Sequence, residues 1–284
     1  MIAAAIQAAD LGAVSHLLTV VDPWEATAGL VHLAVRPPLA PEATLRRLAE
    51  LLLHAGADPN HHEALYHACE HTHHAILEPI LAAPALERPW LSHCLLRKLD
   101  FADLRGVEKM LDAGADPNLR SRQGDREMSL HHAIRRGRDA ATIALLLTRG
   151  ARPDIINIHN HTARRQAIRF GRSDFGAAVP EATALDHWLF QLWHRPAAGP
   201  PPSPLGKQDF RLLPEAAGMR HHGAVANMLA AGFPVDSVTH DDLRSIDFAA
   251  YHRDEPLAAL LIAHGATGEQ YQAALQWLAG DSEG

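Results

Sequence analysis

Glu108-Lys109-Met110-Leu111-Asp112-Ala113-Gly114-Ala115-Asp116-Pro117-Asn118 is the stretch that decides the fold. An irregular segment to Glu127 follows, then Leu130-His131-His132-Ala133-Ile134-Arg135-Arg136-Gly137, an apolar run from Ile143 to Leu147, and Arg149-Gly150-Ala151-Arg152-Pro153-Asp154. A helix closes on a glycine, an extended turn follows, a short helix closes on Gly137, a second helix closes on Gly150, and the cycle restarts. Glycine after the last apolar residue supplies the left-handed backbone of a helix end, proline cannot continue the helix, and Asp and Asn bond to their own backbone in the turn. Gly114 and Gly150 are 36 residues apart, one supersecondary unit per period, as in a helical solenoid. Helices this short are not stable alone, so stacking must stabilise them.

The same unit recurs along the chain. Ile6 to Leu18 reads as a worn repeat or cap. Val31-His32-Leu33-Ala34 starts the next unit, with a loop holding Pro37, Pro38 and Pro41; Leu45, Leu48 and Leu51 to Leu53 carry it to Gly56-Ala57-Asp58-Pro59-Asn60. Leu65-Tyr66-His67-Ala68 begins a histidine-rich unit whose second helix must be shortened by Pro79. Trp90 to Leu111 has helical periodicity but a poor repeat signature. Thr162 to Gly171 begins another unit. The regular spacing then fails, with 82 residues between Gly150 and Gly232, a span holding an aromatic helix (Leu185, Trp188, Leu189, Leu192, Trp193) and the segment Pro196 to Pro204. That segment cannot be helix and is expected to be a lengthened loop within one continuous stack. Leu213-Pro214-Glu215 opens a helix with proline in its first turn. Gly232 and Gly265 restore a period of 33 residues, and Tyr271, Ala274, Leu275 and Leu278 form a final amphipathic helix. By pattern the chain comprises repeats over 1–172, an irregular aromatic helix and Pro-rich loop over 173–210, and repeats with the last helix over 211–284.

Met128-Ser129-Leu130-His131-His132-Ala133 and Val31-His32-Leu33-Ala34 resemble the T-P-L-H-x-A signature of the ankyrin-repeat family; the former keeps Leu, His and Ala and lacks Thr and Pro. The resemblance covers nearly the whole chain, most strongly over 45–60, 108–154 and 218–267. It implies an all-α ankyrin-type helical solenoid of about seven to eight irregular repeats with a C-terminal capping helix. It also implies that His32 and His131 satisfy backbone groups of adjoining turns, and that partners are held by the turn tips and the exposed face of the first helices.

Composition agrees. An aromatic share of 5% suits an Ala/Leu helical stack better than a sheet protein. No stretch is long and apolar enough to cross a membrane, and the N-terminus, interrupted by Asp10, does not read as a signal peptide. Cys69 and Cys94 cannot make a disulfide framework and fit a reducing compartment, so a cytoplasmic location is expected. The formal net charge is −7. Residues 119–172 nonetheless hold 12 arginines against four acids, a local balance of +8. Such a divided field is an argument about partners.

The expected function is protein binding by an adaptor or an inhibitor of the immunity type, with no cofactor and no chemistry of its own, and with a partner bearing an acidic surface. The partner-binding candidates are His61 and His62; Arg120, Arg122, Asp125 and Arg126; Arg135 and Arg136 with Arg164 and Arg165; His159 and His161; and His240 with Asp241. Guanidinium groups on neighbouring first helices would offer bidentate contacts to carboxylates. The enzymatic alternative is a metal-dependent hydrolase at His67-Ala68-Cys69-Glu70-His71, or a pocket near Trp188 and Trp193. On one helix, His67 and His71 at i and i+4 could reach one zinc, with Glu70 as general base. With 21 histidines in the chain that spacing is a weak signal. His93-Cys94 is no nucleophile–base couple, because neighbours on a helix diverge. No phosphate loop or dinucleotide fingerprint occurs. Nucleic acid is the rival ligand of the arginines, disfavoured by overall acidity and only three lysines.

Overall fold

The computed structural model describes residues 1–120, 127–175, 179–239 and 241–280. These form helices, turns and two isolated antiparallel bridges, Ile156 with Thr162 and Val238 with Arg244. By contacts the chain divides into two compact units, the first holding residues within 1–120, 128–133 and 138–152, the second holding 127, 134–137 and 153–280. The units follow contacts rather than regularity of the pattern, so 172 and 210 do not mark them. The Pro-rich segment lies inside the second unit, as a long loop.

In the first unit α1 (Ile2–Gln7), α3 (Pro23–Val35), α5 (His62–Ala68) and α7 (Arg88–Asp100) are the first helices of four pairs; α2 (Leu11–Leu17), α4 (Glu42–His54), α6 (Leu77–Leu81) and α8 (Leu104–Asp112) are the second. First helices pack on first helices and second on second, and α10 (Ala140–Thr148) continues the second row. Its predecessor α9 (Ser129–Arg135) carries the Leu130–Ala133 signature. The second unit pairs α11 (Ala163–Arg169) with α12 (Ala184–His194), α14 (Leu212–Gly218) with α15 (His222–Ala230), and α16 (Ser245–Tyr251) with α17 (Glu255–Ala263); α13 (Lys207–Phe210) precedes α14, and α18 (Gly268–Gly280) packs on α16. Eight such pairs and a last helix are present among the described residues. The fold is the all-α, ankyrin-type arrangement expected, read from its own helix pairs and turns.

The turn chemistry explains the repeat. At Gly150 the backbone has φ +90° and no neighbour lies within 4 Å of a would-be Cβ, so only conformation demands glycine there. In the Asp-Pro-Asn tips, Asn60 N–H and Asn118 N–H donate to Asp58 Oδ1 and Asp116 Oδ1 at 2.9 and 2.8 Å. The Asn side chains then clamp the next tip. Asn60 donates to Ala85 O (2.8 Å) and accepts from Glu87 N–H (2.6 Å), while Asn118 donates to Gly150 O (2.8 Å) and accepts from Arg152 N–H (2.8 Å). Thr27 and Ser92, on α3 and α7, accept from the backbone N–H of Asp58 and Asp116. Each motif residue therefore ties one repeat to another.

Two sequence expectations change. Trp90 to Leu111 is a full helix pair, α7 and α8, despite its missing signature. Its polar centre is Lys98, fully buried, whose Nζ lies 2.6 Å from Asp103 Oδ2 and donates to His71 O (2.7 Å) and Cys69 O (3.2 Å). And the His32 ring meets the Gln7 side chain, Nε2 to Nε2 at 3.1 Å, where a turn backbone was expected. Pro79 sits within α6, which is only five residues long.

Candidate partner-binding surface

The histidine tip of the first unit is built on helix starts. His61 is the N-cap of α5 and His62 its first residue. Their rings stack at 5.1 Å, His62 meets the edge of Trp90 at 6.2 Å, and Trp90 stacks on His93 at 5.1 Å. His62 is exposed and His61 half-buried. Sequence reading found the two histidines but missed Trp90 and His93, which join them only because α5 and α7 pack side by side.

The H-x-x-E-H segment is not a zinc-peptidase helix. α5 ends at Ala68, so His67 and His71 do not share a helical face. His67 Nδ1 lies 3.0 Å from Glu70 Oε2, and His71 Nε2 lies 2.7 Å from Ala34 O with its ring stacked on His73 at 5.1 Å. Glu70 is also gripped by Arg97, with Nε at 3.1 Å. Burial alone would raise its carboxyl, but His67 and Arg97 together hold it below the ordinary value, the wrong direction for a general base. Neither His71 nor Glu70 is therefore oriented for the metal role, and both fasten neighbouring repeats. Among the described residues no group of three or more His, Cys, Asp or Glu is placed to hold a metal ion. Cys69 and Cys94 are both buried; the hydrogen bond its thiol makes to Cys94, together with burial, pushes Cys69 well above its ordinary value.

The arginines divide into two groups. Arg120 and Arg164 are exposed and Arg136 is half-buried, whereas Arg135 is buried. Arg135 Nε contacts Glu127 Oε2 at 2.8 Å and its Nη1 contacts Glu215 Oε1 at 3.2 Å. Arg165 Nε contacts Asp186 Oδ2 at 2.8 Å, and Arg169 binds both Asp186 (2.6 Å) and Asp209. Arg149 pairs with Glu108 and Asp112, and Arg172 with Asp174. The expectation that Arg135 and Arg165 face a partner is corrected: their charges are spent inside the second unit. The local excess of positive charge belongs to the sequence window, because acids from outside it fold onto it. Arg122, Asp125, Arg126 and His240 lie outside the described residues. Asp241 is exposed, with its N–H 3.3 Å from Thr239 Oγ1.

Asp186 organises this region. It caps α12, accepting from Thr183 N–H and Oγ at 2.8 Å while the Thr183 hydroxyl accepts from Asp186 N–H. Burial alone would raise its carboxyl, but Thr183, Arg165 and Arg169 outweigh that and bring it to about 2.

Beside it, the hairpin over 156–162 is shaped by Asn157. Its Oδ1 accepts from His159 N–H (2.9 Å) and His161 N–H (3.1 Å), and its Nδ2 donates to Gln166 Oε1 at 2.8 Å. The hairpin presents Ile156 and Ile158 outward, apolar tips that sequence reading passed over. It also borders a cleft whose lining includes Phe170, Leu212, Gln166, Glu127, Glu215 and the two histidines His159 and His161. His161 is buried, not a projecting tip residue as expected. Burial, then Arg169 and Arg165, lower its ring to about 3. The expected pocket near Trp188 and Trp193 is instead solid core: both rings pack among Leu189, Leu192, Leu213 and Val225, with Trp188 Nε1 on Gly199 O (3.0 Å) and Trp193 Nε1 on Arg169 O (2.8 Å).

No family model matches the chain, and no curated protein is similar to it. Among solved structures, it is similar to the ankyrin repeat domain of Bcl-3, a member of the IkappaB protein family. The two share 16% identity over 92% of this chain and 96% of that one, with a TM-score of 0.48. The repeat reading rests on the caps, clamps and helix rows described above and not on this likeness. No helix among the described residues is long and apolar enough to cross a membrane.

Proposed function

We propose that the chain is a cytoplasmic protein-binding module, an adaptor or an inhibitor, that holds its partner on the turn tips and first-helix faces. The observation that carries this reading is where the unusual side chains stand. The His61–His62–Trp90–His93 ring cluster lies at the starts of α5 and α7, and Ile156 and Ile158 are exposed on a hairpin tip. The residues with catalytic spacing, by contrast, are engaged in internal pairs. An acidic partner surface is supported by exposed Arg120 and Arg164 with half-buried Arg136, a smaller basic set than the sequence suggests. The testing experiment is charge reversal: Arg120→Glu with Arg164→Glu is expected to weaken partner association at least about tenfold while helical content stays unchanged. Association unchanged by both substitutions would contradict the acidic-surface reading.

A further inference from the structure

The Pro-rich connection of the second unit is held at its feet and open between them. It runs from Arg195 to Gly206, from α12 to the short α13 that precedes α14. It therefore joins one repeat to the next, as the 156–162 hairpin does before α11. Ala197 and Leu205 pack on the core of the unit, and Trp188 Nε1 donates to Gly199 O at 3.0 Å. Between these anchors stands Pro200-Pro201-Pro202-Ser203-Pro204, with Pro201 half-buried and the other four exposed.

The backbone of this stretch is made to accept. Proline has no N–H, so Ser203 carries the one backbone donor among these five residues. The carbonyls of Pro200 to Leu205 take no hydrogen bond from the rest of the described chain. Proline rings fix φ at 200, 201, 202 and 204. Gly199, Pro200, Pro201 and Ser203 each precede a proline, which holds their ψ in the extended or polyproline-II region. Within the stretch, only ψ of Pro202 and φ of Ser203 remain free, and the backbone bends at those two residues. It also bends at Ala198 to Pro200, where the chain enters through glycine. Rotation about the two free torsions straightens 200–204 into a polyproline-II turn at small entropic cost. Arg195 and Lys207 are exposed at the two ends, and no acid lies between them.

We propose that Pro200 to Pro204 is the ligand of an aromatic-lined polyproline-II groove on a partner protein. Such a groove supplies what this stretch lacks. Indole N–H and tyrosine O–H groups donate to the unpaired carbonyls, ring faces pack on the pyrrolidines, and a carboxylate at the groove's end meets Arg195 or Lys207. The proposal rests on the reading of the chain as a protein-binding module, and it gives one of its connections a partner of stated chemistry.

The probes are an SH3 domain, a WW domain and an EVH1 domain, each titrated into the full chain by calorimetry. At least one is expected to bind saturably, and to lose that binding when the tryptophan of its own groove is replaced by alanine. In that complex Pro201→Ala and Pro204→Ala are each expected to weaken association at least about fivefold. Ser203→Pro restricts both free torsions and is expected to strengthen association severalfold, because the straight form is then set in advance. Helical content, unchanged in all three variants, shows that the chain stays folded. No binding by any of the three domains, binding indifferent to both alanine variants, or no gain from Ser203→Pro overturns the proposal. If no domain binds while Arg120 and Arg164 still govern partner association, the groove proposal falls and the protein-binding reading stands. If a domain binds as expected while no partner is held at Arg120 and Arg164, the groove assignment stands and the reading of tips and first-helix faces falls.

Discussion

At the scale of single residues, the side chains that matter most are those whose neighbours the sequence does not reveal. Lys98 is one of three lysines, and nothing in the chain's pattern says that it is the buried one. Its place is made by Gly106, where a Cβ would stand 2.0 Å from Lys98 Cε and 2.6 Å from Asp103 Oδ2. Here glycine is required by close approach and not by conformation. Gly106→Ala is expected to destabilise the chain by about 1–3 kcal/mol, and Lys98→Ala by about 3–5 kcal/mol because Asp103 loses its buried counter-charge; chemical denaturation measures both. Asp186 makes the corresponding prediction for pH. Its carboxyl is held at about 2 in the folded chain, against an ordinary value near ~3.9. A depressed acid stabilises the fold above its unfolded value and loses that contribution as pH falls through the folded one. Asp186 therefore contributes about 2 kcal/mol that disappears between about pH 4 and pH 2. Asp186→Asn is expected to flatten stability over that window, and an unchanged acid profile would contradict the ion-pair account.

At the scale of elements, what the sequence made legible was the punctuation. The Gly-Ala-Asp-Pro-Asn endings, the period and the Leu-rich second helices all carry local signals, and the structure places turns and helices where those signals fall. α7 and α8 were hard to read because the usual signature is replaced by Lys98 and Cys94, whose roles depend on α5. α12 was found as an aromatic helix, but not as the partner of α11, because the Thr183–Asp186 cap also serves Arg165 and Arg169 from another helix. The second helices share a device that is legible once seen: Asp10, Asp103, Asp139 and Asp254 each cap one, accepting from the backbone N–H three residues on. Asp139→Ala is expected to cost about 1 kcal/mol in a thermal melt. Between α5 and α7 the two thiols face each other in the core. Cys69 and Cys94 should therefore resist alkylation in the folded chain and react only on unfolding; labelling by iodoacetamide under native conditions would contradict their placement.

At the scale of the whole molecule, charge was the least legible property. A window of sequence with 12 arginines promised a basic face, but folding brings Glu108, Asp112, Asp186, Asp209 and Glu215 onto four of them, Arg135, Arg149, Arg165 and Arg169. Long-range pairing of this kind leaves no mark on local composition. What remains outward is a set of tips and first-helix faces, and the account stands or falls on whether those are where another protein sits. Photo-crosslinking from single positions in the native cell tests it most directly. His62, Arg120 and Arg164 on tips and first helices are compared with exposed Arg47 and Ala259 on the second helices α4 and α17. The account predicts that the first three trap one and the same protein and that the last two do not; trapping from Arg47 and Ala259 alone, or from none of the five, would contradict it.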